Sequence, residues 1–128
     1  LNIRSQPIKE KVNELDLNDL VIDALRDIKG KNIVKLDLTK LVDAPTDYFI
    51  ICEGESSTQV RSLADNVQKR VKTELGLLSN HLEGSSGSKW ILVDYFDTIV
   101  HIFYPETREF YDLEDLWSDA HSTQYESV

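Results

Sequence analysis

The chain reads as a single α/β domain, a mixed sheet of five strands with flanking helices in the order α-β-β-α-β-β-β-α. Three observations lead there. Two segments carry apolar residues at helical spacing, several shorter ones carry them at strand spacing or as continuous apolar runs, and helical and extended segments interleave along the chain. The length of 128 residues fits one domain of about 100–150 residues, so one core and no second domain are expected. Spacing alone leaves open the order of strands across the sheet.

The elements follow in order. Residues 1–15 are polar, contain Pro7 and show no sustained period, so they are read as a mobile lead to a domain spanning 16–120. Leu17, Leu20, Val21, Ala24, Leu25 and Ile28 form the stripe of an amphipathic helix, with Gly30 expected as its left-handed stop. From Ile33 to Leu38 the pattern alternates with period two, as in a half-buried strand. After the turn cluster Ala44-Pro45-Thr46-Asp47, the run Tyr48 to Cys52 is apolar on both faces and too short for a helix, which predicts a central strand. Val60, Leu63, Ala64, Val67, Val71 and Leu75 mark a second helix, with Ser56 or Ser57 as its cap and Gly76 at its end. Its opposite face carries Arg61, Asp65 and Lys69, a solvated surface.

Leu77 to Leu82 is a weaker strand candidate, and Gly84-Ser85-Ser86-Gly87-Ser88 is read as flexible. Lys89 to Tyr95 and Thr98 to Tyr104 then form a hairpin. Its connection, Phe96-Asp97, lacks a glycine, so a longer or bulged link is expected rather than a tight turn requiring positive φ. Asp112 to Asp119, with Leu113, Leu116 and Trp117 on one face, predicts a short helix, and 121–128 is read as a tail.

Composition narrows the function. No apolar run approaches the roughly 18 residues of a membrane span, so no membrane partner is expected. Leu1 to Glu14 lacks a signal peptide's apolar centre and a transit peptide's Arg-rich, acid-poor character; the absent initiator Met fits a trimmed form, so bacterial and organellar origins both stay open. The lone Cys52 sits in an apolar strand and is read as buried and unreactive, in keeping with a reducing, cytoplasmic setting. Acidic residues exceed basic ones, 23 to 14, and from Pro105 onward Arg108 is the only Lys or Arg. Such a field repels phosphate backbones, which opposes an RNA-binding adaptor and direct nucleic-acid recognition, and it favours a basic protein partner. Solubility alone is sufficient reason for such a charge, so the charge narrows the partner without naming it.

The residues that could carry chemistry are few. Strand period puts Trp90, Leu92 and Asp94 on one face and Ile91, Val93 and Tyr95 on the other. Two long helices should cover one sheet face and leave the second thinly covered, so Trp90 is either an anchor for a partner or a core residue. Gly54-Glu55-Ser56-Ser57-Thr58 joins strand to helix in the manner of an anion cradle, but it lacks a lysine and Glu55 would repel phosphate, so capping is preferred. Gly84-Ser85 with Asp94 and Asp97 loosely resembles nucleotidyltransferases, which hold two metal ions on carboxylates two apart. Here the spacing is three, which points the pair to opposite faces unless the turn bends the chain back. His81, His101, His121 and Cys52 lack zinc-ligand spacing, and no nucleophile motif is present. No cofactor, no metal and no catalysis are therefore expected; a metal-dependent nucleotidyltransferase-like enzyme is the alternative.

Two longer stretches resemble a known family, the ribosomal silencing factors, also called the Iojap family. The first is Thr46-Asp47-Tyr48-Phe49-Ile50-Ile51-Cys52-Glu53-Gly54-Glu55-Ser56, leading to Gln59-Val60. The second runs from Trp90 to Phe103 and continues through Pro105-Glu106, Arg108, Phe110-Tyr111, Leu113-Glu114, Leu116-Trp117 and Asp119-Ala120, with Leu82-Glu83-Gly84 ahead of it. The resemblance spans about Leu17 to Ala120. It implies a fold similar to a reduced nucleotidyltransferase without its catalytic carboxylates. It also implies a non-enzymatic role: docking on large-subunit ribosomal protein fourteen, blocking association of the small subunit, and repressing translation when nutrients are scarce. The partner surface so implied falls on Trp90, Asp94, Tyr95, Asp97 and His101, with Pro105 and Glu106 at the strand's exit. Strand period sets Trp90 and Tyr95 on opposite faces, so both meet one partner only through a twisted hairpin or a wrapped edge. An exposed apolar sheet face could also pair with itself, giving a homodimer when the protein is free. Where the family commonly has glycine in the hairpin, this chain has Phe96, which either projects towards the partner or changes the turn.

Overall fold

A computed structural model describes residues 17–84 and 87–126. Within them the elements are α1 (17–27), β1 (Lys31–Asp37), β2 (Tyr48–Glu53), α2 (Ser57–Leu75), β3 (His81–Gly84), β4 (Trp90–Asp94), β5 (Thr98–Phe103), α3 (Pro105–Tyr111), α4 (Leu113–Leu116) and β6 (His121–Tyr125). The 1–15 lead, Asp16 at the expected domain start, and Ser85 and Ser86 of the expected flexible stretch lie outside the described residues.

The sheet order is β3-β4-β5-β2-β1-β6. β1 and β2 form one antiparallel pair and β3, β4 and β5 an antiparallel meander, while β5 joins β2 in parallel register, Tyr48 opposite Thr98 and Glu53 opposite Phe103. That parallel junction needs a long crossover, which α2 supplies. β2 and β5 are thereby flanked on both sides, and their near-continuous apolar sequence is what a central position demands. Each of the five expected strands has a counterpart, although the one expected over Leu77 to Leu82 lies later, at His81–Gly84. A sixth, β6, comes from the segment read as a tail: His121 to Tyr125 pairs antiparallel with β1 at the sheet edge.

α1 and α2 lie on one face, where Val21, Leu25, Leu63 and Val67 bury against Ile50, Val100 and Ile102. Each such side chain contributes about 1.5–3 kcal/mol relative to exposure. The Ser56 Oγ caps α2 by accepting the Gln59 N–H at 3.1 Å, and Gly76, at φ 68°, ends it with its N–H on the Lys72 carbonyl. Asn66 donates to the Ala24 carbonyl and Arg70 pairs with Asp23, Asp27 and Glu74, which locks the two helices side by side.

Gly30 plays a different part from the one expected. The left-handed residue at the end of α1 is Lys29, at φ 61°. A Cβ on Gly30 would collide with the Cys52 sulfur and crowd the Leu25 carbonyl, so glycine is required there for close approach of the helix end to β2.

Two further differences lie beside the candidate site. The β4–β5 link is tight, not long: the Tyr95 N–H reaches the Thr98 carbonyl at 2.9 Å and the Asp97 N–H reaches the Tyr95 carbonyl at 3.0 Å, with Phe96 between them at φ 77°. This is the positive-φ γ-turn, a strained conformation for any side chain larger than glycine. In addition, two full turns of helix, α3, precede the short helix expected after Asp112, and the latter shrinks to the single turn of α4.

Candidate partner-docking face

The sheet face away from α1 and α2 gathers Val34, Leu36, Phe49, Ile51 and Phe103, with Trp90 and Ile99 half-buried beside them. Its cover is thin: Leu113, Trp117 and Ala120 from the α3–α4 segment and Leu41 and Ala44 from the β1–β2 loop. α3 starts at Pro105, whose fixed φ and missing N–H suit a first helical position. It is held by the buried Arg108, which donates to the Asn32 carbonyl at 2.6 Å, to Glu53 at 3.2 Å and to Glu114 at 2.8 Å. One guanidinium thus ties α3 to the β1–β2 pair and to α4.

Trp90 stands at the start of β4, opposite Phe103. Its ring lies 4.9 Å from Phe103 and 4.7 Å from Tyr111, and its indole N–H donates to His101 Nδ1 at 3.1 Å. Trp90 is half-buried, between the core position and the exposed one that its sequence allows. His101 is 4% exposed, with the Phe49 ring edge-on at 4.5 Å. Burial pushes its imidazole down to about 4, so it is neutral, and accepting the Trp90 proton at Nδ1 leaves its own hydrogen on Nε2. That Nε2 has no partner among the described residues. His101 therefore orients Trp90 from beneath, rather than standing at the surface itself.

Tyr95 belongs to the other side. It is 7% exposed within the α1–α2 core, its hydroxyl without a partner among the described residues, and burial raises its phenol to about 12. Asp94 and Asp97 border one cleft, although strand spacing alone pointed them to opposite faces, because the γ-turn bends the chain between them. Asp94 accepts the Phe96 N–H at 2.7 Å, and both aspartates line a cleft of about 400 Å3 between this turn and the β1–β2 loop. Pro105 is half-buried and Glu106 exposed on α3, near the Trp90 end. Trp90 and Asp94 are four residues apart on one strand face, about 13 Å. The expected set thus divides into a Trp90–Pro105–Glu106 end and an Asp94–Asp97 end of one face, with His101 buried between and Tyr95 behind.

Phe110 and Tyr111 belong to the stretch that carries the resemblance but not to the partner surface expected from it. They are 80% and 49% exposed, in edge contact at 5.1 Å, and Tyr111 continues the stack from Trp90 outward. Pro105 followed by Glu106 was the available signal for the helix that carries them.

The other candidates resolve simply. Among the described residues, no cluster of three or more His, Cys, Asp or Glu side chains could hold a metal ion. At the Gly54 junction the Glu55 amide is taken by the Gln59 side chain and the Gln59 amide by Ser56, which is capping. Cys52 is fully buried, and desolvation pushes its thiol up to about 12, far from a nucleophile's range.

Residues 10–128 match the family model described as "Ribosomal silencing factor during starvation". A protein of Halalkalibacterium halodurans named ribosomal silencing factor RsfS is 36% identical over 113 residues, covering 88% of this chain and 95% of its own length. One of the same name from Chromobacterium violaceum is 41% identical over 102 residues, covering 80% of this chain and 82% of its own. A crystal structure of a Chromobacterium violaceum protein superposes with a TM-score of 0.76 at 40% identity, over 81% of this chain and 85% of that one.

Proposed function

The chain belongs to the ribosomal silencing factor family, and from that premise we propose that it docks on the large ribosomal subunit and keeps the small subunit from joining, so that translation is repressed when nutrients are limiting. The docking partner in this reading is large-subunit ribosomal protein fourteen, a basic surface. The role needs no reaction; it needs an adhesive face and bulk behind it.

The observation that carries this reading is the half-open Trp90, fixed by His101 and Phe103 on the thinly covered face and extended outward by Tyr111 and Phe110. Aromatic anchors ringed by polar groups are the usual core of a protein interface. The rim here is acidic. Glu106, Glu109, Asp112, Asp115 and Asp119 are all exposed, while Arg108, the only Lys or Arg from 105 onward, is buried and paired. This field steers the domain towards a basic partner and away from naked RNA. When free, the same face pairs with a second copy, so that self-association and ribosome docking compete. The setting proposed is the cytoplasm; among the described residues no helix is long and apolar enough to cross a membrane.

The test is sedimentation with separated subunits, followed by addition of small subunits and counting of joined particles. The protein is expected to travel with large subunits alone and to lower the yield of joined particles. Trp90→Ala is expected to weaken large-subunit binding by about tenfold or more while the domain stays folded. Equal binding by Trp90→Ala would remove the anchor, and no binding by the unaltered chain would remove the reading.

A further inference from the structure

The tip of the β4–β5 hairpin is costly in two ways that the isolated domain does not recover. Phe96 is held at φ 77°, where side chains are strained, and its ring is 76% exposed. The conformation is nevertheless fixed: the Phe96 N–H binds Asp94, its carbonyl accepts the Thr46 hydroxyl at 2.7 Å, and the neighbouring Asp97 carbonyl accepts the Tyr48 N–H at 3.1 Å. The ring borders the 400 Å3 cleft, whose walls combine the apolar Leu38, Leu41, Ala44 and Ile99 with the carboxylates of Asp47, Asp94 and Asp97. Among the described residues, no lysine or arginine lines it. An apolar channel with an acidic lining and an aromatic at its border fits one side-chain chemistry, a long aliphatic stem ending in a cation.

We propose, on the docking reading above, that this cleft receives an arginine or lysine side chain of the partner protein, with Phe96 closing over its stem and Asp94 and Asp97 meeting its charge. The hairpin tip is then a second contact, about 13 Å along the strand from Trp90. It sets the register of the domain on its partner, and a single aromatic anchor would leave it free to swivel.

The experiment is a titration of purified large subunits with the unaltered protein, Phe96→Gly, Phe96→Tyr and Asp97→Asn at two salt concentrations, with thermal midpoints measured alongside. Phe96→Gly is expected to melt higher, because glycine adopts positive φ without strain, yet to bind about tenfold more weakly. Phe96→Tyr keeps its binding, and Asp97→Asn binds with a shallower salt dependence. If the unaltered chain binds and Phe96→Gly binds equally well, the cleft contact is overturned and docking stands. If Phe96→Gly weakens binding but Asp97→Asn changes neither affinity nor salt dependence, the guest is apolar and the cationic assignment falls. If the unaltered chain does not bind large subunits, the docking reading itself falls and takes this contact with it.

Discussion

On the α1–α2 side of the sheet, Ile50, Val100 and Ile102 meet Leu25, Leu63 and Val67, six side chains with no hydrogen-bonding group among them. On the other side Phe49, Trp90, His101 and Phe103 pack with Tyr111 and Trp117, edge-on or tilted, around an imidazole that is only half satisfied among the described residues. The first face is shaped by burial alone, and any well-packed apolar set would serve it. The second fixes directions: a neutral histidine aims an indole, an arginine pins a strap of two short helices, and a strained turn lifts a phenyl ring into water. Directional contacts stabilise less per atom than close packing, so a face built from them is justified by what it presents outward.

The contrast can be broken by substitution. Leu63→Ala, on the packed face, is expected to cost about 2–5 kcal/mol in urea denaturation through the cavity it leaves, and to leave large-subunit affinity unchanged in the molecules that stay folded. A loss below about 1 kcal/mol would mean that this face is not the stabilising one. Arg108→Met strips Glu53 and Glu114 of their shared cation and is expected to cost about 3 kcal/mol, with the aromatic signals of Tyr111 and Trp117 shifting as the strap loosens.

Acid sharpens the comparison further. The folded His101 titrates near 4, below its ordinary value of 6.5, so the unfolded chain takes up its proton first as pH falls. Its contribution is complete above about 6.5 and is lost on descent towards about 4, on the order of 3 kcal/mol. Protonation would also end the Nδ1 acceptor on which Trp90 rests. Urea midpoints from pH 7 to pH 4 should therefore fall less steeply in His101→Phe than in the unaltered protein; parallel curves would refute the assignment. The smallest effect concerns the rim. Glu106→Gln is expected to change stability by less than about 0.5 kcal/mol and to flatten the salt dependence of large-subunit binding.

How much of this was legible follows the same division. The packed face announces itself, because burial without direction leaves its period in the sequence: Leu17 to Ile28 and Val60 to Leu75 could be placed by spacing alone. The strand period also separated Tyr95 from Trp90 correctly. The other face is written in exceptions. α3 buries an arginine where a helix period looks for an apolar residue. β6 is held to β1 largely through its backbone, so its polar sequence looks like a tail. Phe96 occupies a conformation its side chain disfavours, so turn propensity pointed away from the tight hairpin and hid the cleft that Asp94 and Asp97 share. Resemblance to a family named the expected partner residues as a group, but only the fold shows that they fall at two ends of a face, with His101 buried between them and Tyr95 behind.

Cys52 is the chain's only thiol, fully buried in β2 under Gly30 and far less acidic than an ordinary thiol. A disulfide reagent in the surrounding solution therefore reacts only with molecules whose sheet has opened, and its labelling rate counts those openings without any added probe. Because the sulfur lies in the helix-side layer while Trp90 faces the other way, a bound guest would leave the thiol chemically untouched. Any slowing of labelling on docking would then measure how firmly the guest holds the domain closed.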